Sequence, residues 1–208
     1  IYGFIEEAKK IVMVVDCENS DPYRLYAVLN GLEKNALSKI QKIMLFDDVH
    51  TVNTWRILES CTAIPVDHVM TKRVKEDKSL VDIEMTALTC REHYRENVDS
   101  FLIVSSDSDY WGLISSLPDA RFLLMIEKEK CGPEMKATLV KHGIFYCYID
   151  SFYDGNCEEI KKKALFNEMY RMLNNSLKLN AHEMFKEALY ATRIQMKAAE
   201  QKRFFEKH

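Results

Sequence analysis

The sequence predicts a three-layer α/β fold, a mostly parallel sheet covered by helices on both faces, followed by C-terminal helices. Three observations predict it. Short β-branched and apolar runs recur through the first 150 or so residues, and stretches of helical spacing separate them. After about residue 154 the strand-like runs stop and only helical patterns remain. The chain contains no internal repeat and no low-complexity tract.

Residues 11–15, IVMVV, form an uninterrupted apolar run bounded by charge, the pattern of a strand buried on both faces. Asp21 before Pro22 makes an N-cap with proline in the first turn, so a helix starts near Pro22 and ends before Ser38. Residues 40–46 are the second strand, TVNTWRILES suggests a short helix, and residues 62–66 are a weaker third strand. Residues 79–94 have the length and spacing of a helix, with Leu80, Ile83, Ala87 and Leu88 toward the core. Strands over 101–105, 122–126 and 144–149 then alternate with helices over 110–116 and 134–141.

Residues 157–174 and 180–207 are helical patterns separated by NNSLKL, with Asn180 and Glu183 as a capping box for the second. Phe185, Leu189, Thr192 and Met196 fall on one stripe of that helix. The stripe packs either on the domain or on a second copy of the chain, so a homo-oligomer through the C-terminal helices is one expectation. The organisation expected is an α/β domain over 1–154 and a helical extension over 155–208.

An apolar fraction of 47% and a charged fraction of 29% are those of an ordinary globular chain. No apolar run reaches the roughly 18 residues that cross a bilayer, and the start lacks the basic-then-apolar pattern of a signal peptide. The six cysteines form no C-x-x-C pair, which fits reduced, mostly buried thiols and a cytoplasmic setting. The net charge of −3 hides an asymmetry: residues 1–154 carry 18 Lys/Arg against 25 Asp/Glu, and the remainder carries 11 against 7. An acidic half needs metal ions or local basic residues before it can hold a polyanion.

The acidic residues concentrate where strands end. Asp16 closes the first buried run in VVDCEN, and Asp107 and Asp109 follow the fourth in SSDSDY. In an open parallel sheet the carboxyl ends of strands converge on one crevice. Asp82, in KSLVD, heads the long helix, where free amides and the dipole favour a carboxylate. One aspartate after a strand is usually a turn former or cap; three such motifs on compatible elements point to a divalent cation. Hard oxygen donors suit Mg²⁺ or Mn²⁺, which offset the mutual repulsion and activate water against a phosphodiester. Asn19 adds a neutral polar group in the turn after the first strand, and Ser105, Ser106 and Ser108 are hydrogen-bond donors to the same carboxylates.

At these residues the chain resembles the NYN domain family of the PIN-like nucleases. The likeness spans roughly residues 10 to 150. It is carried by the Asp16 to Asn19 turn, by Lys78 and Asp82 at the head of the central helix, and by SSDSDY from Ser105 to Tyr110. The resemblance implies a Rossmann-like PIN-type fold and, in active members, metal-dependent hydrolysis of RNA to leave a 5′-phosphate. It implies that Asp16, Asp82 and Asp107 form the acidic core, with Asp109 an additional acidic position and Asn19 the turn asparagine.

Lys72, Arg73, Lys75 and Lys78 precede Asp82 directly and are the expected contacts to the phosphates of single-stranded RNA. Tyr110 and Trp111 either stack on a base or pack their helix onto the sheet. Two other functions fit parts of the pattern. A metal-dependent phosphatase or nucleotide hydrolase is one, though the chain has no glycine-rich P-loop and reads DCEN rather than Asp-x-Asp after its first strand. A non-catalytic RNA-binding or regulatory protein of the same fold is the other.

Overall fold

Among the described residues, six segments of four to eight residues form the strands of one parallel sheet with the order β3-β2-β1-β4-β5-β6. The computed structural model describes residues 1–47, 52–71, 80–107, 110–152 and 157–207, and within these it leaves out the side chains of 52, 53, 60, 61, 178–182 and 205–207. The elements run α1 (Tyr2–Glu7), β1 (Ile11–Asp16), α2 (Pro22–Gly31), α3 (Lys34–Leu37), β2 (Ile40–Asp47), α4 (Val52–Cys61), β3 (Val66–Met70) and α5 (Val81–Glu96). They continue with β4 (Ser100–Val104), α6 (Trp111–Ser116), β5 (Arg121–Ile126), α7 (Pro133–Lys141), β6 (Phe145–Tyr148), α8 (Cys157–Thr192) and α9 (Ala198–Lys207). The chain divides into two compact units, Ile1–Ile160 and Lys161–His208.

Side chains alternate across each strand, and the two faces collect separate cores. Ile11, Met13 and Val15 of β1 join Leu25, Leu29, Leu45, Trp55 and Leu102 on one face. Val12 and Val14 join Phe46, Val81, Met85, Phe101 and Ile103 on the other. Both faces are covered, which is why β1 reads as a continuous apolar run. Its neighbours are β2 on one side and β4 on the other, and the strand order reverses between β1 and β4. A doubly wound sheet opens its crevice at that reversal, beyond the carboxyl ends of the strands.

Helix α2 starts as its sequence requires. The Asp21 carboxylate accepts from the backbone N–H groups of Tyr23 and Arg24 at 2.8 and 3.2 Å, and Pro22 occupies the first turn. At the other end of the long helix, Asn97 adopts a left-handed conformation, φ 55°, and its N–H bonds to Glu92 O to close α5.

Three expectations need correction. The third strand is Val66–Met70, downstream of residues 62–66, because Pro65 has no N–H for a ladder and the pairing with β2 starts after it. Helix α5 buries Val81, Met85, Thr89 and Glu92, whereas Ile83 is 66% exposed and Ala87 is exposed. Glu92 can lie inward because Lys42 Nζ pairs with its carboxylate at 2.8 Å. The C-terminal helices do not break at NNSLKL: α8 runs unbroken from Cys157 to Thr192, and the interruption falls at Arg193, φ 56°. NNSLKL holds no glycine or proline, so nothing in it forces the backbone out of the helix. In that unit Phe185 stacks on Phe204 of α9 with ring centroids 4.8 Å apart. Cys17, Cys90, Cys131, Cys147 and Cys157 are all free thiols. No helix among the described residues is long and apolar enough to cross a membrane.

The burial pattern of α5 makes a prediction. Met85→Ala removes a fully buried side chain and should cost about 2–5 kcal/mol of unfolding free energy, while Ile83→Ala should stay within about 0.5 kcal/mol. Urea denaturation of the two variants checks it, and comparable losses would contradict the observed helix face.

Candidate active site

The carboxyl end of β1 carries Asp16, only 1% exposed. A buried carboxylate is costly unless its lone pairs find donors, and the chain supplies four. Oδ1 accepts from the backbone N–H groups of Glu18 and Asn19 at 3.2 and 3.3 Å. Oδ2 accepts from Asn19 Nδ2 at 2.9 Å and from Ser105 Oγ at 2.8 Å. The turn D-C-E-N folds back because the Asp16 side chain holds the amides two and three residues on, the local bonding that aspartate favours in turns.

Ser105 joins the two strand ends. Its hydroxyl donates to Asp16 and accepts from the Asp107 backbone N–H at 3.1 Å. Asn19 links the same two ends as a double donor: its Nδ2 lies 2.9 Å from Asp16 Oδ2 and 3.5 Å from Asp107 Oδ2. Ser20 Oγ donates to the carbonyl of Val104, the last residue of β4, at 3.0 Å. Asp16, Asn19, Ser105 and Asp107 therefore form one bonded group at the point where the strand order reverses. Ser106 faces elsewhere and accepts from the Glu127 N–H at 3.0 Å.

Asp82 stands half-buried in the first turn of α5, next to Val81, which shares a core with Val14 and Phe46. Asp109 and Ser108 lie outside the described residues, as do Lys72, Arg73, Lys75 and Lys78. Among the described residues, no group of three or more His, Cys, Asp and Glu side chains stands where one cation could take them together. The pair that is described, Asp16 and Asp107, still offers hard oxygens, and a small divalent cation needs only one or two carboxylates beside its waters. Asp16 has its four lone-pair positions occupied, so it ligates directly only by giving up a hydrogen bond; Asp107 is only half-buried. The donor chemistry fits a hard cation that keeps most of its water.

The aromatic residues after β4 pack the helix. Tyr110 is buried in the core that α5 covers, and Trp111 meets His142 edge-on at 4.4 Å. The Tyr110 hydroxyl has no hydrogen-bond partner among the described residues. Burial pushes its pKa up, and the nearby acidic groups, Asp107 and Asp16 among them, add to the effect. It stays a neutral phenol and is no base. Cys17, beside Asp16, is likewise pushed up, first by burial and then by Asp47, Asp16 and Glu18, which makes it a poor nucleophile.

Sequence reasoning missed two groups on this rim. Asp47, at the end of β2, is fully buried; its Oδ2 lies 2.9 Å from His68 Nε2, and His68 Nδ1 lies 2.9 Å from Glu59 Oε1. Beyond β5, Glu127 is 7% exposed and holds Arg24 Nη1 at 3.1 Å and Lys130 Nζ at 3.1 Å. Arg24 also reaches Asp150 at 2.8 Å. The signal available was EKEK directly after a buried strand, at the same edge as the aspartates. A separate cleft of about 480 Å³ lies at the other end of the sheet, where Lys42 stands near the start of β2 and Arg91, Glu92 and Arg95 near the end of α5.

The NYN domain matches residues 10–136. The chain belongs to the NYN domain family. NYN domains are in general nucleases of the PIN-like group, which puts this one among the hydrolases at family level. A crystal structure of a protein of unknown function from Vibrio parahaemolyticus shares the fold, with a TM-score of 0.50 at 15% identity over 71% of this chain and 97% of that one. No curated protein matches the sequence.

Ser105→Ala tests the bonded group. It takes a donor from a buried carboxylate and an acceptor from the Asp107 N–H, and should destabilise the domain by about 1–3 kcal/mol. An unchanged denaturation midpoint at neutral pH would show that Asp16 does not depend on that hydroxyl.

Proposed function

We propose that this NYN domain is a metal-dependent ribonuclease that hydrolyses RNA phosphodiester bonds with activated water and leaves 5′-phosphate ends. The observation that carries the reading is the Asn19 amide between the Asp16 and Asp107 carboxylates at the strand-order reversal. Two carboxylates held this close by a neutral amide make a negative pocket that a polyanion could not approach unaided.

In this reading Asp16, Asp82, Asp107 and Asp109 hold Mg²⁺ or Mn²⁺. When bound there, such an ion supplies charge neutralisation at the phosphodiester and a more acidic water. The chain's own residues set the geometry. Asp16 fixes the turn and, through Asn19 and Ser105, the spacing to Asp107. Asn19, with its two amide N–H groups directed at Asp16 and Asp107, orients water through its carbonyl oxygen without adding charge. Asp107 is only half-buried and is the carboxylate of the pair with more room to hold the ion. Lys72, Arg73, Lys75 and Lys78 guide single-stranded RNA by phosphate contacts, an assignment that comes from the sequence alone.

The test is a single-turnover assay on end-labelled single-stranded RNA with Mn²⁺, Mg²⁺ or EDTA. Wild type should cleave only with metal and leave 5′-phosphates, and Asp107→Asn should be slower by about a hundredfold or more. A 2′,3′-cyclic phosphate product would assign the attack to the RNA's own 2′-hydroxyl and overturn the mechanism. Cleavage by Asp107→Asn at the wild-type rate would remove that residue from the chemistry.

A further inference from the structure

We propose that Lys130 is a substrate-phosphate ligand of this site, its ammonium taking a non-bridging oxygen of the RNA backbone beside Asn19. The proposal rests on the ribonuclease reading and adds to it a cation that the acidic motifs do not contain.

The geometry comes from three strand ends. Lys130 Nζ donates to the backbone carbonyl of Asn19 at 3.4 Å and to Glu127 Oε1 at 3.1 Å. Asn19 is the residue whose amide contacts both Asp16 and Asp107, so the positive charge sits against the same turn that organises the carboxylates. An ammonium has three donors, and the third N–H of Lys130 has no partner among the described residues. The side chain is 48% exposed, so a ligand can reach it.

Glu127 holds the lysine in place. Its backbone N–H is fixed by Ser106 and its other carboxylate oxygen is already neutralised by Arg24. A long, mobile side chain tied at one end to a nearly buried carboxylate loses less freedom when a phosphate arrives. Arg24 is spent on Glu127 and Asp150 and is not the residue proposed. A phosphodiester drawn toward an acidic rim needs a local positive group as well as an ion, and Lys130 is positioned to be that group.

The experiment is single-turnover cleavage of a short 5′-labelled single-stranded oligoribonucleotide, with Mn²⁺ and excess protein, over a series of KCl concentrations. Wild type, Lys130→Ala, Lys130→Met and Lys130→Arg are compared, with thermal melts to confirm folding; the methionine variant keeps the apolar stem if alanine perturbs the loop. Loss of the charge should raise the half-saturating protein concentration about tenfold and leave the plateau rate within about twofold. The salt slope should fall by about 0.7, the value for one lost phosphate contact on a single strand, and arginine should restore most of both. If folded Lys130→Ala and Lys130→Met keep the wild-type half-saturation and salt slope, Lys130 touches no phosphate. A weaker but salt-insensitive defect that arginine does not rescue would make the residue structural and overturn the proposal too. In both cases wild type still cleaves, whereas failure of the ribonuclease reading shows as no wild-type cleavage and removes the proposal with it.

Discussion

Burying a carboxylate at the end of a central strand is tolerable only if every lone pair is met, and Asp16 meets this condition with two backbone amides, one side-chain amide and one hydroxyl. That requirement dictates what surrounds it. The chain must turn sharply after β1 so that the Glu18 and Asn19 amides can reach back, and β4 must end beside β1 so that Ser105 can reach across. Asn19, once turned inward, is also within reach of Asp107. The spacing of the two carboxylates thus follows from satisfying the first of them.

Charge is balanced locally. The unit that holds the aspartates is acidic overall, yet Arg24 and Lys130 converge on Glu127 at the same edge of the sheet. Glu127 is itself nearly buried and would be unfavourable without them. On the other flank, His68 lies between the Asp47 and Glu59 carboxylates. The described strand ends are tied to one another through polar groups that bond in two directions.

What the sequence made legible was short in range. The central strands β1, β4 and β5 could be read because burial on both faces leaves contiguous apolar runs, and the start of α2 because Asp21 and Pro22 act within one turn. Asp16 with Asn19, and Ser105 with Asp107, are motifs of two to four residues whose internal bonds are local. The contact of Lys130 with Asn19 spans 111 residues and that of Arg24 with Glu127 spans 103, so neither leaves a local trace. The buried face of α5 differs from the apolar stripe of its sequence for a related reason. Its inward stripe includes Thr89 and Glu92, polar residues that a hydrophobic pattern assigns to solvent, and the partner that permits Glu92 is on β2. The end of α8 is set by a left-handed arginine, a position without the usual glycine or asparagine to announce it.

Calorimetric titration of Mn²⁺ into wild type and Asp107→Asn, at one pH and in the presence of a non-hydrolysable single-stranded oligonucleotide, tests most directly whether this rim is built for a cation. Wild type should bind Mn²⁺, and the variant should bind it at least about tenfold more weakly while melting at a similar temperature. Superimposable isotherms for the two proteins, or no heat of binding in wild type, would contradict a metal site formed by the Asp16 and Asp107 carboxylates.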